Sequence, residues 1–155
     1  MPRRSKKFKK NIKPDYKYNN LEVSKFINQI MRKGKKTVAQ RIVYDAFEIL
    51  KNKTKKEPLE IFKRALDNAS PILEVKSKRI GGANYQIPIE VRGDRQLTLS
   101  MRWLIEAAKR RKGQPMSGKL AEELIAASNK EGEAITKKIN IQKMAEANRA
   151  FAHFA

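Results

Sequence analysis

The chain has 155 residues, and 36 Lys and Arg against 16 Asp and Glu leave a formal charge of +20. Apolar residues are 40 %, enough for one modest core in a single domain. There is no cysteine and only one histidine, His153, which excludes disulfides, thiolate zinc sites, thiol nucleophiles and most acid–base triads. Charge of one sign on this scale repels itself, so a polyanion is the expected partner. No apolar run approaches the ~20 residues of a membrane span, and the basic start leads into no apolar segment. A soluble intracellular protein is expected, with no membrane, cofactor, metal or small-molecule substrate.

Residues 1–18 read as a basic tail, carrying Arg3, Arg4, Lys6, Lys7, Lys9, Lys10, Lys13 and Lys17 against Asp15. Too little apolar surface lies there to offset ordering entropy, and the charge density suits a polyanion-binding arm. From residue 19 to 155 a helical RNA-binding domain is expected. Val23, Phe26, Ile27, Ile30 and Met31 form the first apolar stripe, with Asn19 and Glu22 as a capping box and Gly34 as its stop. A second helix over about 36–52 buries Ala39, Ile42, Val43, Ala46, Ile49 and Leu50. The third starts at Pro58, carries Phe62, Ala65, Leu66 and Ala69, and is stopped by Pro71.

The period then changes to two over 72–91. Leu73 and Val75, then Tyr85, Ile87, Ile89 and Val91, alternate with polar residues on either side of Gly81-Gly82, which predicts a β-hairpin. Pro88 limits the ladder, so a free two-stranded finger is expected. Asp94 is the expected cap of a fourth helix with Leu97, Met101, Leu104, Ile105 and Ala108 inside. A fifth helix covers Ser117 to Ser128 on Leu120 and Leu124. The sixth begins near Glu133, with Ile135, Ile139, Ala147, Ala150, Phe151 and Phe154 as its contacts. The fold class is mainly α: six helices with a β-hairpin between the third and fourth.

Three basic clusters follow from this layout: the tail; the corner Arg32, Lys33, Gly34, Lys35, Lys36; and the hairpin with the fourth helix. The last contains Lys76, Lys78, Arg79 and Arg92, then Arg95, Arg102 and Lys109, which recur every seven residues along one helix side and run into Arg110 and Arg111. Tyr85 suits either a base stack or packing at the hairpin root against Val75. Trp103, beside Arg102 and off the main stripe, suits core packing better than stacking. Catalytic readings are poorly supported. Gly81-Gly82 lacks phosphate-loop spacing, and Glu122 and Glu123, about 100° apart on a helix, do not converge.

The run Lys78-Arg79-Ile80-Gly81-Gly82-Ala83-Asn84-Tyr85-Gln86-Ile87-Pro88-Ile89-Glu90-Val91 closely resembles the hairpin of the universal small-subunit ribosomal protein number seven family, of bacterial or organellar type. Met144 to Phe154, Arg102 to Lys109 and Met31 to Lys36 are similar to other stretches of that family. The resemblance implies no enzymatic activity. It implies a small-subunit protein that binds the 3′ major domain of the ribosomal RNA and nucleates head assembly. Its expected place is the subunit interface near the decoding centre, in the cytoplasm or in an organellar ribosome. Its implied neighbours are the small-subunit proteins numbered nine and eleven. Ribosomal RNA contacts are implied for the tail, Arg32 to Lys36, Lys76, Lys78, Arg79, Arg92, Arg95 and Arg102. Gly81, Gly82, Ala83 and Asn84, with Tyr85 beside them, would approach transfer RNA in the exit site. The alternative is a basic helical DNA-binding or nucleoid protein, which lacks a clear helix-turn-helix glycine spacing here.

Overall fold

Asn20 starts the first helix: its side-chain oxygen accepts from the N–H groups of Glu22 and Val23 at 2.7 and 3.3 Å. In the computed structural model, which describes residues 12–154, the elements are α1 (Leu21–Ile30), α2 (Lys36–Thr54), α3 (Pro58–Ala69), β1 (Leu73–Ile80), β2 (Ala83–Glu90), α4 (Gly93–Arg110), α5 (Met116–Ser128), α6 (Glu133–Ala147) and a 3₁₀ turn (Arg149–Phe154). The architecture is the expected one, six helices with a hairpin between the third and fourth. Helix α5 lies at the centre against α2, α3 and α4, and its Leu120, Ala121, Leu124 and Ala127 are fully buried. Phe26, Phe62 and Phe47 form an aromatic chain with centroids 5.1 and 5.4 Å apart, joining α1, α3 and α2.

Several local expectations are corrected. Asn20 rather than Asn19 is the cap; Asn19 has φ 47°, a left-handed turn that asparagine tolerates. Helix α1 ends at Ile30, and Gly34 lies in the following turn. Asp94 does not cap α4: Arg92 holds that position, and Asp94 sits exposed in the first turn. Phe47 is fully buried where Ile42 and Ile49 are only half-buried, because α5 and the ring of Tyr18 approach from Phe47's side.

Residues 15–18, assigned by charge to the tail, are fastened to α2. Asp15 is buried; its carboxylate accepts from the Lys17 and Tyr18 N–H groups at 3.1 Å and from the Tyr44 hydroxyl at 2.8 Å. Burial, reinforced by that bond, pushes the Tyr44 phenol up to about 12. Lys17 pairs with Glu48 at 3.0 Å, and the Tyr18 ring meets Phe47 at 5.1 Å.

The hairpin is two-stranded and antiparallel, closed by Gly81 and Gly82 at φ 56° and 93°. Positive φ at both central residues is the geometry of a primed turn, where a Cβ would be strained. It is not a free finger. Alpha-helix α6 and the 3₁₀ turn lie against it, Ile87 and Ala145 are almost fully buried, and the Tyr85 ring meets Phe151 at 5.1 Å. The pairing of Val75 with Pro88 and of Lys78 with Tyr85 puts Val75 and Tyr85 on opposite faces, so the root packing expected for Tyr85 is replaced by the C-terminal turn. With one side of α6 on the hairpin, Ala147 and Ala150 face outward, and Ile139 remains 45 % exposed.

Candidate nucleic-acid interface

The connection between α1 and α2 is a tight turn with Lys33 and Gly34 at φ 50° and 74°, closed by a Lys35 N–H to Arg32 carbonyl bond of 3.1 Å. Arg32, Lys33, Lys35 and Lys36 are all exposed, and among the described residues none makes an ion pair. They crowd the N-terminus of α2, which has no acid in its first turn and no side-chain cap. The helix macrodipole is positive there, so this placement works against the fold.

On α4, Arg95, Arg102 and Lys109 are exposed on one side, as their spacing requires. Among the described residues Arg102 and Lys109 make no ion pair, although Glu106 lies beside them. Arg95 donates through Nε and Nη2 to Glu74 of β1 at 3.2 and 3.1 Å, and Lys76 reaches the same carboxylate at 3.2 Å. Burial pushes the Glu74 carboxyl up, but Lys76 and Arg95 outweigh it and hold the group below its ordinary value. Arg95 therefore ties the hairpin to α4 through Glu74, while Lys76 pairs with that carboxylate within β1 itself. Glu106 interrupts the basic side and pairs with Lys137.

Helix α1 joins these two patches, a link that charge density does not signal because its polar side carries a single cation, Lys25, beside carboxamides. Lys25, Asn28 and Gln29, at i, i+3 and i+4, line shallow depressions shared with α4 on one side and with α2 on the other. Three depressions joined through Asn28 and Gln29 thus lie between Lys36 and the pair Arg102 and Lys109, with Asp94 and Glu106 also in their linings.

Other expected contacts sit differently. Arg111 sends Nε and Nη2 to Glu123 at 3.0 and 2.8 Å and Nη1 to Glu122 at 3.4 Å, so its charge is engaged inside the fold. Arg110 pairs with Glu133 at 3.7 Å. Trp103 is 4 % exposed with the Lys137 ammonium 5.9 Å from its ring centre, which makes it core. Arg79 and Arg92 are exposed, and Gly81 to Asn84 form the exposed hairpin tip. His153 is exposed, and its Nδ1 lies 2.8 Å from the Ala150 carbonyl. Arg3, Arg4, Lys6, Lys7, Lys9 and Lys10 lie outside the described residues. No group of three or more acids or histidines converges as a metal cage among the described residues, and no described helix is long and apolar enough to cross a membrane.

The family model described as ribosomal protein S7p/S5e matches residues 2–149. A small ribosomal subunit protein uS7 from Thermotoga maritima is 54 % identical over 152 residues, 98 % of either chain. Those from Moorella thermoacetica and Dechloromonas aromatica are 54 % and 53 % identical over 154 residues, 99 % of this chain.

Proposed function

The chain belongs to the ribosomal protein S7p/S5e family, and from that premise we propose that it anchors the 3′ major domain of small-subunit ribosomal RNA and nucleates assembly of the head. As a member of the family it is a non-catalytic constituent of the small ribosomal subunit, which in bacteria is cytoplasmic. The observation that supports the finer reading is the set of exposed cations that make no ion pair among the described residues: Arg32, Lys33, Lys35 and Lys36 at the α1–α2 corner, and Arg102 and Lys109 on α4. Phosphates displace counterions from such groups without regard to sequence, while fixed spacing between patches selects a folded RNA. One rigid helical body holding two RNA segments at a set distance lowers the entropy of the junction between them.

Arg102→Glu is the direct test. The side chain is exposed, so helicity and melting stay as in the parent. Affinity for a 3′ major domain transcript falls by about tenfold or more, and the slope of log K against log salt flattens by about one. Unchanged affinity across the salt series would take α4 out of the interface. Equal preference for duplex DNA of the same length would favour the nucleoid reading instead.

The hairpin tip is assigned to exit-site transfer RNA, with the proteins numbered nine and eleven as neighbours, and ribosomal RNA to Lys78 and Arg79 beside the tip and to Lys76, Arg92 and Arg95 nearer the root. Support comes from the division along the hairpin: residues 81–84 are exposed, whereas Tyr85 and Ile87 pack inward. Deleting residues 79–84 joins Lys78 directly to Tyr85, which become the central residues of a new two-residue turn closed on the Ser77 and Gln86 pair. The body stays folded, head RNA binding loses no more than about tenfold through Arg79, and crosslinks to exit-site transfer RNA disappear. Loss of the cooperative melt would make the tip structural.

A further inference from the structure

We propose that the cleft between residues 12–16, α1 and the start of α2 receives one unstacked nucleotide of the bound RNA, its base stacked on Tyr16. This rests on the RNA-binding reading above and names a site within that surface. This depression is half open to solvent and has a volume of about 480 Å³, comparable with the roughly 300–1,000 Å³ found for small-ligand sites.

Tyr16 is 97 % exposed, whereas Tyr18, two residues on, packs against Phe47 and Tyr44. An aromatic ring left wholly in water gains nothing for the fold, yet this one is not on a loose arm. The three hydrogen bonds to the Asp15 carboxylate fix the turn on either side of it. The ring is therefore presented on ordered backbone, so little further conformational entropy is lost when a base stacks on it.

The rest of the lining has the chemistry of a nucleotide. Lys13 and Lys36 stand at the rim with no ion pair among the described residues, suited to the phosphates on either side of a flipped base. The Ser24 hydroxyl and the carboxamides of Asn28 and Gln40 line the cleft, and no described residue hydrogen-bonds their side chains. Hydroxyls and carboxamides offer both donors and acceptors, as base edges and the ribose 2′-OH require. Asp15 is the one acid in the lining; its charge is buried and turned toward Tyr44 and the Lys17 and Tyr18 N–H groups, and Lys13 and Lys36 outnumber it.

The test uses the full chain and a transcript of the 3′ major domain. Tyr16→Ala should weaken binding by about tenfold, the size of one lost base–aromatic stack, with the salt slope unchanged because no phosphate contact is removed. Tyr16→Phe should restore affinity, since the ring and not the hydroxyl stacks. Ultraviolet irradiation of the complex should crosslink Tyr16 to a base, and the Asn28→Ala, Gln40→Ala double variant should weaken that crosslink. Parent-like affinity for Tyr16→Ala, with no crosslink, would overturn the cleft as a nucleotide site and leave it to a neighbouring protein segment. In that outcome Arg102→Glu would still lower affinity, so the wider RNA reading would survive; if Arg102→Glu were also silent, that reading would fall with it.

Discussion

Replacing Glu123 with alanine is expected to destabilise the fold by about 3 kcal/mol, the lower end of the cost of breaking a buried ion pair, because the Arg111 left behind is 33 % exposed. In a domain of this size that is a drop of roughly 10 °C in melting temperature. Glu123 has no solvent exposure, and each of its oxygens has a separate task. Oε2 takes the forked donation of Arg111 at 3.0 and 2.8 Å, holding the connection between α4 and α5. Oε1 accepts from the Ala134 N–H at 3.1 Å, so this carboxylate caps α6 from another helix, where Gly132 at the N-cap position has no side chain to do so. Gly132 is also at φ 95°, and a Cβ there would stand 2.8 Å from Glu123 Oε1. Three structural needs meet on one acid. In the alanine variant Arg111 keeps only the 3.4 Å contact with Glu122, and a first-turn N–H of α6 is orphaned. Glu123→Gln keeps an acceptor for Ala134 while setting an amide against the guanidinium, so its loss should be smaller. Urea unfolding measures both. An alanine variant within 1 kcal/mol of the parent would show that this node is not what joins α4, α5 and α6.

The same residues show where sequence reading stops. The helix stripes, Pro58 at the start of α3 and the Gly81-Gly82 turn were legible because each depends on residues within a few positions of one another. Charge density is local and places Arg111 with the basic cluster after α4, whereas its partners lie 11 and 12 residues on, across a turn. Asp15 was lost in a tail of cations for the same reason: Tyr44, which makes it structural, is 29 residues away. The C-terminal stripe failed differently. Alpha-helix α6 packs on a narrow face against a hairpin laid down earlier in the chain, so apolar residues such as Ile139 and Met144 remain nearly half exposed. The candidate interface divides along the same line. Arg32 to Lys36 and Arg102 enter it on charge density alone, whereas Asn28, Gln29, Gln40 and Tyr16 carry no charge signal and join it through their place in the depressions along α1.

The second large effect is expected from replacing Arg32, Lys33, Lys35 and Lys36 together with alanine, and it should have opposite signs on folding and on binding. Four phosphate contacts contribute about three units of salt slope, so affinity for the 3′ major domain transcript should fall on the order of 10³-fold at 0.1 M salt. The fold should not weaken. These side chains are exposed, make no ion pair among the described residues, and stand at the positive end of α2. A cation there costs about 0.3–1 kcal/mol at low ionic strength, and Lys36 as the first helical residue loses nothing by becoming alanine. The variant should therefore melt at the parent temperature or slightly above it, with Gly34 left in place to hold the turn. That pairing of results separates a binding surface from an ordinary solvated one. Side chains that serve only solubility would change neither quantity by this much, and side chains that serve the fold would lower both. A variant that melts earlier while still binding RNA with the parent salt slope would mean that the corner supports α2 and that the polyanion is gripped elsewhere.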